Sequence, residues 1–95
     1  MENLTDKNFD SKISSDVVLI QFSAEWCGPC KVLTPLVEQL ENVTKFKVDI
    51  DDCPETSSKF KIRSVPTLIL FKNGVEVARK IGVLNKQMLD LFVKQ

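Results

Sequence analysis

Trp26-Cys27-Gly28-Pro29-Cys30-Lys31 is the stretch on which the reading of this chain turns, because it sets two thiols two residues apart. Upstream, Val17-Val18-Leu19-Ile20-Gln21-Phe22 is a nearly continuous apolar run, the pattern of a strand covered on both faces and lying in the middle of a sheet. Downstream, Leu33, Leu36, Val37 and Leu40 recur at the i, i+3, i+4, i+7 spacing of an amphipathic helix. The cysteine pair therefore sits where a strand passes into a helix. At such a junction the unpaired backbone N–H groups and the positive end of the helix dipole favour a thiolate over a thiol. A pair so spaced can form and break a disulfide, and Cys27, at the helix start, is the expected nucleophile.

The neighbouring elements follow from local signals. Thr5 is a candidate N-cap for a short helix holding Phe9 and Ile13, which Ser14-Ser15-Asp16 breaks. Pro35 falls inside the helix after the cysteines, removes one backbone hydrogen bond and predicts a kink. Phe46, Val48 and Ile50 alternate as a second strand, closed by Asp51-Asp52-Cys53-Pro54. Glu55 to Phe60 reads as a short helix and Val65 to Phe71 as a third, apolar strand. Lys72-Asn73-Gly74-Val75 is a hairpin signal, since Asn-Gly suits the positive φ angles of a type I′ turn. Val75, Val77, Arg79 and Ile81 continue as the return strand, Gly82 ends it, and Asn85 caps a last helix with Leu84, Met88, Leu91 and Phe92 on one face. The 95 residues are read as one domain, 1–95, of α/β class: a small sheet with helices on both faces.

Composition narrows the chemistry. Thirteen basic and thirteen acidic residues cancel, so overall charge gives no long-range attraction to nucleic acid or membrane. The N-terminus lacks the basic and apolar regions of a signal peptide, and no apolar stretch approaches the ~20 residues of a membrane span, so a soluble cytoplasmic protein is expected. Three cysteines leave at least one thiol unpaired within the chain, which suits a cycling pair better than a disulfide scaffold. Histidine is absent, which removes imidazole acid–base catalysis, a cysteine–histidine dyad and any mixed Cys/His metal site. The expected chemistry runs on thiols, carboxylates and lysines, with no metal and no bound cofactor.

Taken together, Trp26-Cys27-Gly28-Pro29-Cys30-Lys31, Pro35, Val65-Pro66-Thr67, Lys72-Asn73-Gly74 and Gly82 resemble the thioredoxin family over essentially the whole chain. The resemblance implies the thioredoxin fold, a central mixed sheet flanked by helices, and a protein-disulfide reductase. It implies that Cys27 attacks a target disulfide and that Cys30, more buried, resolves the mixed disulfide. The Gly28-Pro29 insert resembles reducing members; oxidising and isomerising relatives usually carry a histidine there. Pro66 matches the family's cis-proline, which leaves the Val65 backbone free to pair with an extended substrate segment, although sequence alone fixes no isomer. Trp26, Gly28, Pro29, Val65, Pro66, Gly82 and Val83 would form a flat apolar patch on which disulfide-containing proteins dock as a strand adds to an edge. A thioredoxin reductase or its equivalent would regenerate the dithiol, and a monomer is expected.

The chain also departs from that pattern. Gln21 stands where most members carry a buried aspartate that serves the second cysteine, and it shares a strand face with Val17 and Leu19. An amide cannot accept that proton, though it can hold a water or orient a thiol, so proton transfer at Cys30 is expected to be slower or to use solvent. Lys47 matches a lysine near the missing carboxylate and either keeps a role there or is a solvated strand residue. Ser23 replaces a second tryptophan of many members, which predicts looser packing beside the site, and the segment between Leu40 and Phe46 is shorter than in common bacterial members. Cys53 resembles a non-catalytic cysteine of some eukaryotic members; it reads as a small residue at a strand end or as an accessory thiol open to oxidation. Two other functions compete: a binding subunit or chaperone using the patch around Trp26 and Pro66 without turnover, and a zinc or iron–sulfur carrier in which two chains pool Cys27 and Cys30.

Overall fold

The two most apolar runs become the centre of the sheet. In the computed structural model, which describes all residues Met1–Gln95, β1 (Val17–Ser23) and β3 (Thr67–Lys72) pair antiparallel. Thr44–Asp49 (β2) adds parallel to β1, and Val75–Ile81 (β4) adds antiparallel to β3, giving the order β2-β1-β3-β4. A parallel neighbour needs a crossover, and α2 (Gly28–Glu38) supplies it between β1 and β2. The other helices are α1 (Phe9–Lys12), α3 (Pro54–Lys59) and α4 (Lys86–Phe92).

Strand alternation divides the core into two layers. Val18, Ile20 and Phe22 of β1, with Val48, Ile69 and Phe71, pack against Leu4, Phe9, Ile13 and Cys53. There Phe9, Phe60 and Phe71 meet with ring centroids 5.3 to 5.8 Å apart, two of the pairs edge to face, an arrangement the ring quadrupoles favour. Leu19, Leu68 and Leu70 point the other way, onto Leu33 and Val37 of α2 and onto Leu84, Leu89 and Phe92. Each of these fully buried side chains contributes about 1.5–3 kcal/mol relative to exposure, so the two layers carry most of the drive to fold.

Local signals place most boundaries. Asn73 (φ 53°) and Gly74 (φ 81°) both take positive φ, the backbone a type I′ turn requires. Thr5 closes the turn before α1 rather than capping the helix: its hydroxyl accepts from Asn8 N–H at 3.2 Å and Asn8 Oδ1 accepts from Thr5 N–H at 2.7 Å, but α1 runs only over Phe9–Lys12, with Asn8 at its N-cap and Ile13 at its C-cap. α2 runs through Pro35 to Glu38. β3 begins at Thr67, two residues later than expected, because Pro66 has no N–H to give the ladder.

The phase of the last helix is corrected. In α4 the inward residues are Leu89 and Phe92, whereas Met88 and Leu91 are 44% and 69% exposed. Leu84, also buried, precedes the Asn85 cap, so it lies off the helical lattice and its spacing to Met88 and Leu91 carries no phase information. No helix is long and apolar enough to cross a membrane.

Candidate active site

The end of β1 and the start of α2 hold the cysteines. Cys27 is the N-cap of α2, in extended backbone (φ −91°, ψ 108°), and its Sγ accepts from Cys30 N–H at 3.2 Å. Gly28 and Pro29 fill the first turn, where a proline's missing N–H leaves no intrahelical bond unmade. Cys27 and Cys30 are joined in a disulfide with Cα atoms 5.3 Å apart. They form a small cluster with Ala24, against which Ile50 and Val65 pack. Cys27 is 4% exposed and Cys30 1%, so in the bonded state the first cysteine is only slightly the more open. A thiolate at Cys27 would accept the same N–H bond with a full charge, at the positive end of an 11-residue helix.

Around the disulfide the expected patch is mixed in exposure. Trp26 is 69% exposed, yet its ring is anchored, Nε1–H donating to Asp51 Oδ2 at 2.9 Å. Gly28, Pro29 and Val83 are exposed, Val65 and Gly82 are half-buried, and Pro66 is buried. The Val65–Pro66 bond is cis, and Pro66 O accepts from Gly82 N–H at 2.9 Å, which ties the start of β3 to the segment that leaves β4. Gly82 takes φ 98°, a backbone that L side chains rarely adopt.

Gln21 is fully buried on the face that α2 covers. Its Nε2 donates to Thr34 Oγ1 at 2.9 Å, and Thr34 Oγ1 donates to Cys30 O at 2.9 Å, while Gln21 Oε1 has no partner. The structure thus brings Gln21 within one side chain of Cys30. Lys47 is half-buried; its backbone is held by the N-terminal segment, with Leu4 N–H donating to Lys47 O and Lys47 N–H to Glu2 O, both at 2.9 Å. Ser23, Thr34, Lys47 and Asp49 line a cleft of about 510 Å³ that reaches Cys30.

Cys53 lies elsewhere. It is 1% exposed in the layer beneath α1 and α3, its Sγ donating to Leu4 O at 3.3 Å. Burial pushes its thiol pKa up, and the carboxylates of Asp6, Asp52 and Asp49 push the same way. It begins α3 without capping it; Asp6 does so instead, accepting from Thr56 N–H at 2.9 Å, Thr56 Oγ1 at 2.7 Å and Glu55 N–H at 3.3 Å. Thr34, Asp49, Asp51 and Asp6 went unremarked as site or anchoring residues in the sequence reading. Only Thr34 had a local signal, being one helical turn after Cys30.

The family profile described as Thioredoxin matches residues 1–95. The chain is similar to the thioredoxin of Chlamydia trachomatis serovar D, 49% identical over 96 residues that cover 97% of this chain and 94% of that protein. It is similar also to the thioredoxin of Staphylococcus saprophyticus, 43% identical over 97 residues, covering 97% of this chain and 93% of that one. Among solved structures, Plasmodium falciparum thioredoxin superposes with a TM-score of 0.91 at 35% identity, covering 99% of this chain and 97% of its own.

Proposed function

The chain belongs to the thioredoxin family and is a thiol–disulfide oxidoreductase, and from that premise we propose that it reduces protein disulfides through a Cys27/Cys30 dithiol cycle. The Cys27 thiolate attacks one sulfur of a target disulfide, that bond breaks, and its electron pair leaves with the second target sulfur. Cys30 then attacks Cys27 Sγ of the mixed disulfide, releasing the first target sulfur and closing Cys27–Cys30. One observation carries these roles: the Cys27 sulfur, not that of Cys30, is the one set against a helix N-terminal N–H, where a thiolate is favoured. The patch around the pair, with anchored Trp26 at one side and Val65, Pro66, Gly82 and Val83 at the other, receives an extended segment of the target. A separate reductase restores the dithiol. We place this single-domain carrier in the cytoplasm, acting as a monomer without a bound cofactor.

Turnover of a protein disulfide with a regenerating system supplied tests the activity, and two variants test the roles. Cys27→Ser abolishes reduction, whereas Cys30→Ser forms the mixed disulfide and stalls there, as mass spectrometry under non-reducing conditions reads. A stable adduct on Cys27→Ser, or on neither variant, would refute the assignment.

A further inference from the structure

Resolution in this cycle needs the Cys30 thiol to lose a proton, and the side chain that reaches toward Cys30 from β1 cannot take it. Along Gln21–Thr34–Cys30 the donors run one way: the amide gives its N–H to Thr34, and Thr34 gives its O–H to the Cys30 carbonyl. No member of that chain is a base at neutral pH. Strand alternation offers another route. Val18, Ile20 and Phe22 of β1 and Phe46 and Val48 of β2, with Ile50 just beyond, belong to the opposite layer, so Gln21, Ser23, Lys47 and Asp49 share the face under α2. Register sets Gln21 beside Lys47 and Ser23 beside Asp49. The same face opens as the cleft of about 510 Å³ whose wall includes Cys30, and a polar space of that size accommodates solvent.

We propose that Asp49 is the proton acceptor for Cys30 in the resolving step, reached through solvent in this cleft. The proposal rests on Cys30 being the resolving cysteine. Asp49 is the cleft carboxylate with a fixed position: Oδ1 accepts from Asp51 N–H at 2.8 Å and Asp52 N–H at 3.3 Å, while Oδ2 has no protein partner. Glu25 and Asp52, the other carboxylates of the wall, are exposed and unanchored. The charges around Asp49 are Lys47 from its own strand, Lys31 from α2, Glu25 from the connection between β1 and α2, and Asp51 and Asp52 downstream. In the step itself, the Cys30 proton passes across solvent to Asp49 Oδ2. The Cys30 thiolate attacks Cys27 Sγ, the bond from Cys27 to the target breaks, its electron pair departs on the target sulfur as thiolate, and the Cys27–Cys30 bond forms. Asp49 then returns the proton to the departing thiolate or to solvent.

Asp49→Asn isolates this role, because the amide Oδ1 keeps the acceptor for Asp51 N–H and an unchanged unfolding midpoint would verify the fold. Single-turnover reduction followed through Trp26 fluorescence separates the steps. In a Cys30→Ser background, Asp49→Asn leaves adduct formation unchanged. With Cys30 present, it slows resolution about tenfold near neutral pH, a loss that shrinks toward about pH 9 as hydroxide takes over and is reversed by added imidazole. An unchanged resolution rate, a loss independent of pH, or the same loss in Glu25→Gln or Asp52→Asn would each overturn the proposal. Failure of Cys30→Ser to accumulate any adduct would instead mark the cysteine assignment as the fault, and the proposal would fall with it.

Discussion

Two helices of this chain begin at a cysteine with a proline in the first turn, α2 at Cys27 with Pro29 and α3 at Cys53 with Pro54, and both follow a strand of the same sheet. Their sulfurs meet opposite surroundings. Cys27 Sγ turns onto its own helix and accepts from Cys30 N–H; Cys53 Sγ turns away from its helix and donates to Leu4 O. The free N–H groups of α3 are taken by Asp6, whose charge then sits near the Cys53 thiol and opposes its ionisation. A helix N-terminus activates a thiol only when the sulfur is what the N–H groups see. Where a carboxylate has claimed them, the same junction makes a thiol inert.

Alkylation of the reduced native protein breaks or upholds this contrast most directly. With iodoacetamide near neutral pH, Cys27 is expected to react at least ~100-fold faster than Cys53, whose modification should await unfolding. Comparable rates at the two sulfurs, read by peptide mass spectrometry, would show that local geometry does not separate them.

Gln21→Asp brings a carboxylate to Cys30 by a buried route. Aspartate is one methylene shorter, is desolvated and loses the Gln21–Thr34 bond, so stability near neutral pH should fall by about 2–4 kcal/mol. Desolvation raises the folded-state pKa above the unfolded value, so the charge-burial part of the loss is absent below about pH 4 and grows as pH rises from there through the folded pKa, while the lost amide contact acts at every pH. Denaturant titrations across pH check this, and stopped-flow traces should show faster resolution near neutral pH. A destabilisation that does not vary with pH would mean the lost amide contact, rather than charge burial, causes it.

Cys53→Ala should cost about 1–2 kcal/mol from the small void it leaves in the aromatic layer, with turnover unchanged under reducing conditions. A marked loss of activity would give Cys53 a part in the cycle. The smallest effect is expected from Asp6→Ala. Hydrogen bonding to Thr56 holds the Asp6 carboxyl below its ordinary range, so its stabilisation is present above the unfolded pKa of about 3.9 and is lost as pH falls through the folded value. Tm of the variant should therefore lie below that of the parent at pH 7 and converge with it in acid. The variant should also bring the Cys53 thiol pKa down, since one of the charges raising it is gone.

The parts legible in the sequence were those decided by short-range pattern. The apolar runs of β1 and β3, the Asn73-Gly74 turn and the Asn85 cap each act within a few residues, and each appears as expected apart from the later start of β3 at Thr67. The same holds for Cys27 and Cys30, whose spacing and place at a helix start follow from adjacent segments. Short elements lost phase information: in a seven-residue helix, Leu89 with Phe92 and Met88 with Leu91 are equally helical spacings, and only the packed layer selects the first pair. Contacts between distant segments were out of reach. Asp6 meets Thr56 across 50 positions and Trp26 meets Asp51 across 25, and in both the residue types are common on any surface. The polar row under α2 was half legible, since alternation gives the face of Gln21 and of Lys47, but their adjacency needs the parallel register.

That parallel register leaves β2 at one margin of the sheet, and the short bridge of Asn3 to Lys47 lies along it. At the other margin β4 is interrupted by an irregularity opposite Leu70 and Phe71 and carries Glu76, Arg79 and Lys80. Each rim of the sheet is thus blunted by a different device, a strip of chain on one side and a bulge with charges on the other. Trimming the first few residues would strip the β2 rim of its cover while leaving the redox pair intact. Such a shortened chain should still exchange disulfides when dilute but self-associate through strand pairing as concentration rises, so colloidal behaviour and chemistry are separable properties of this sheet.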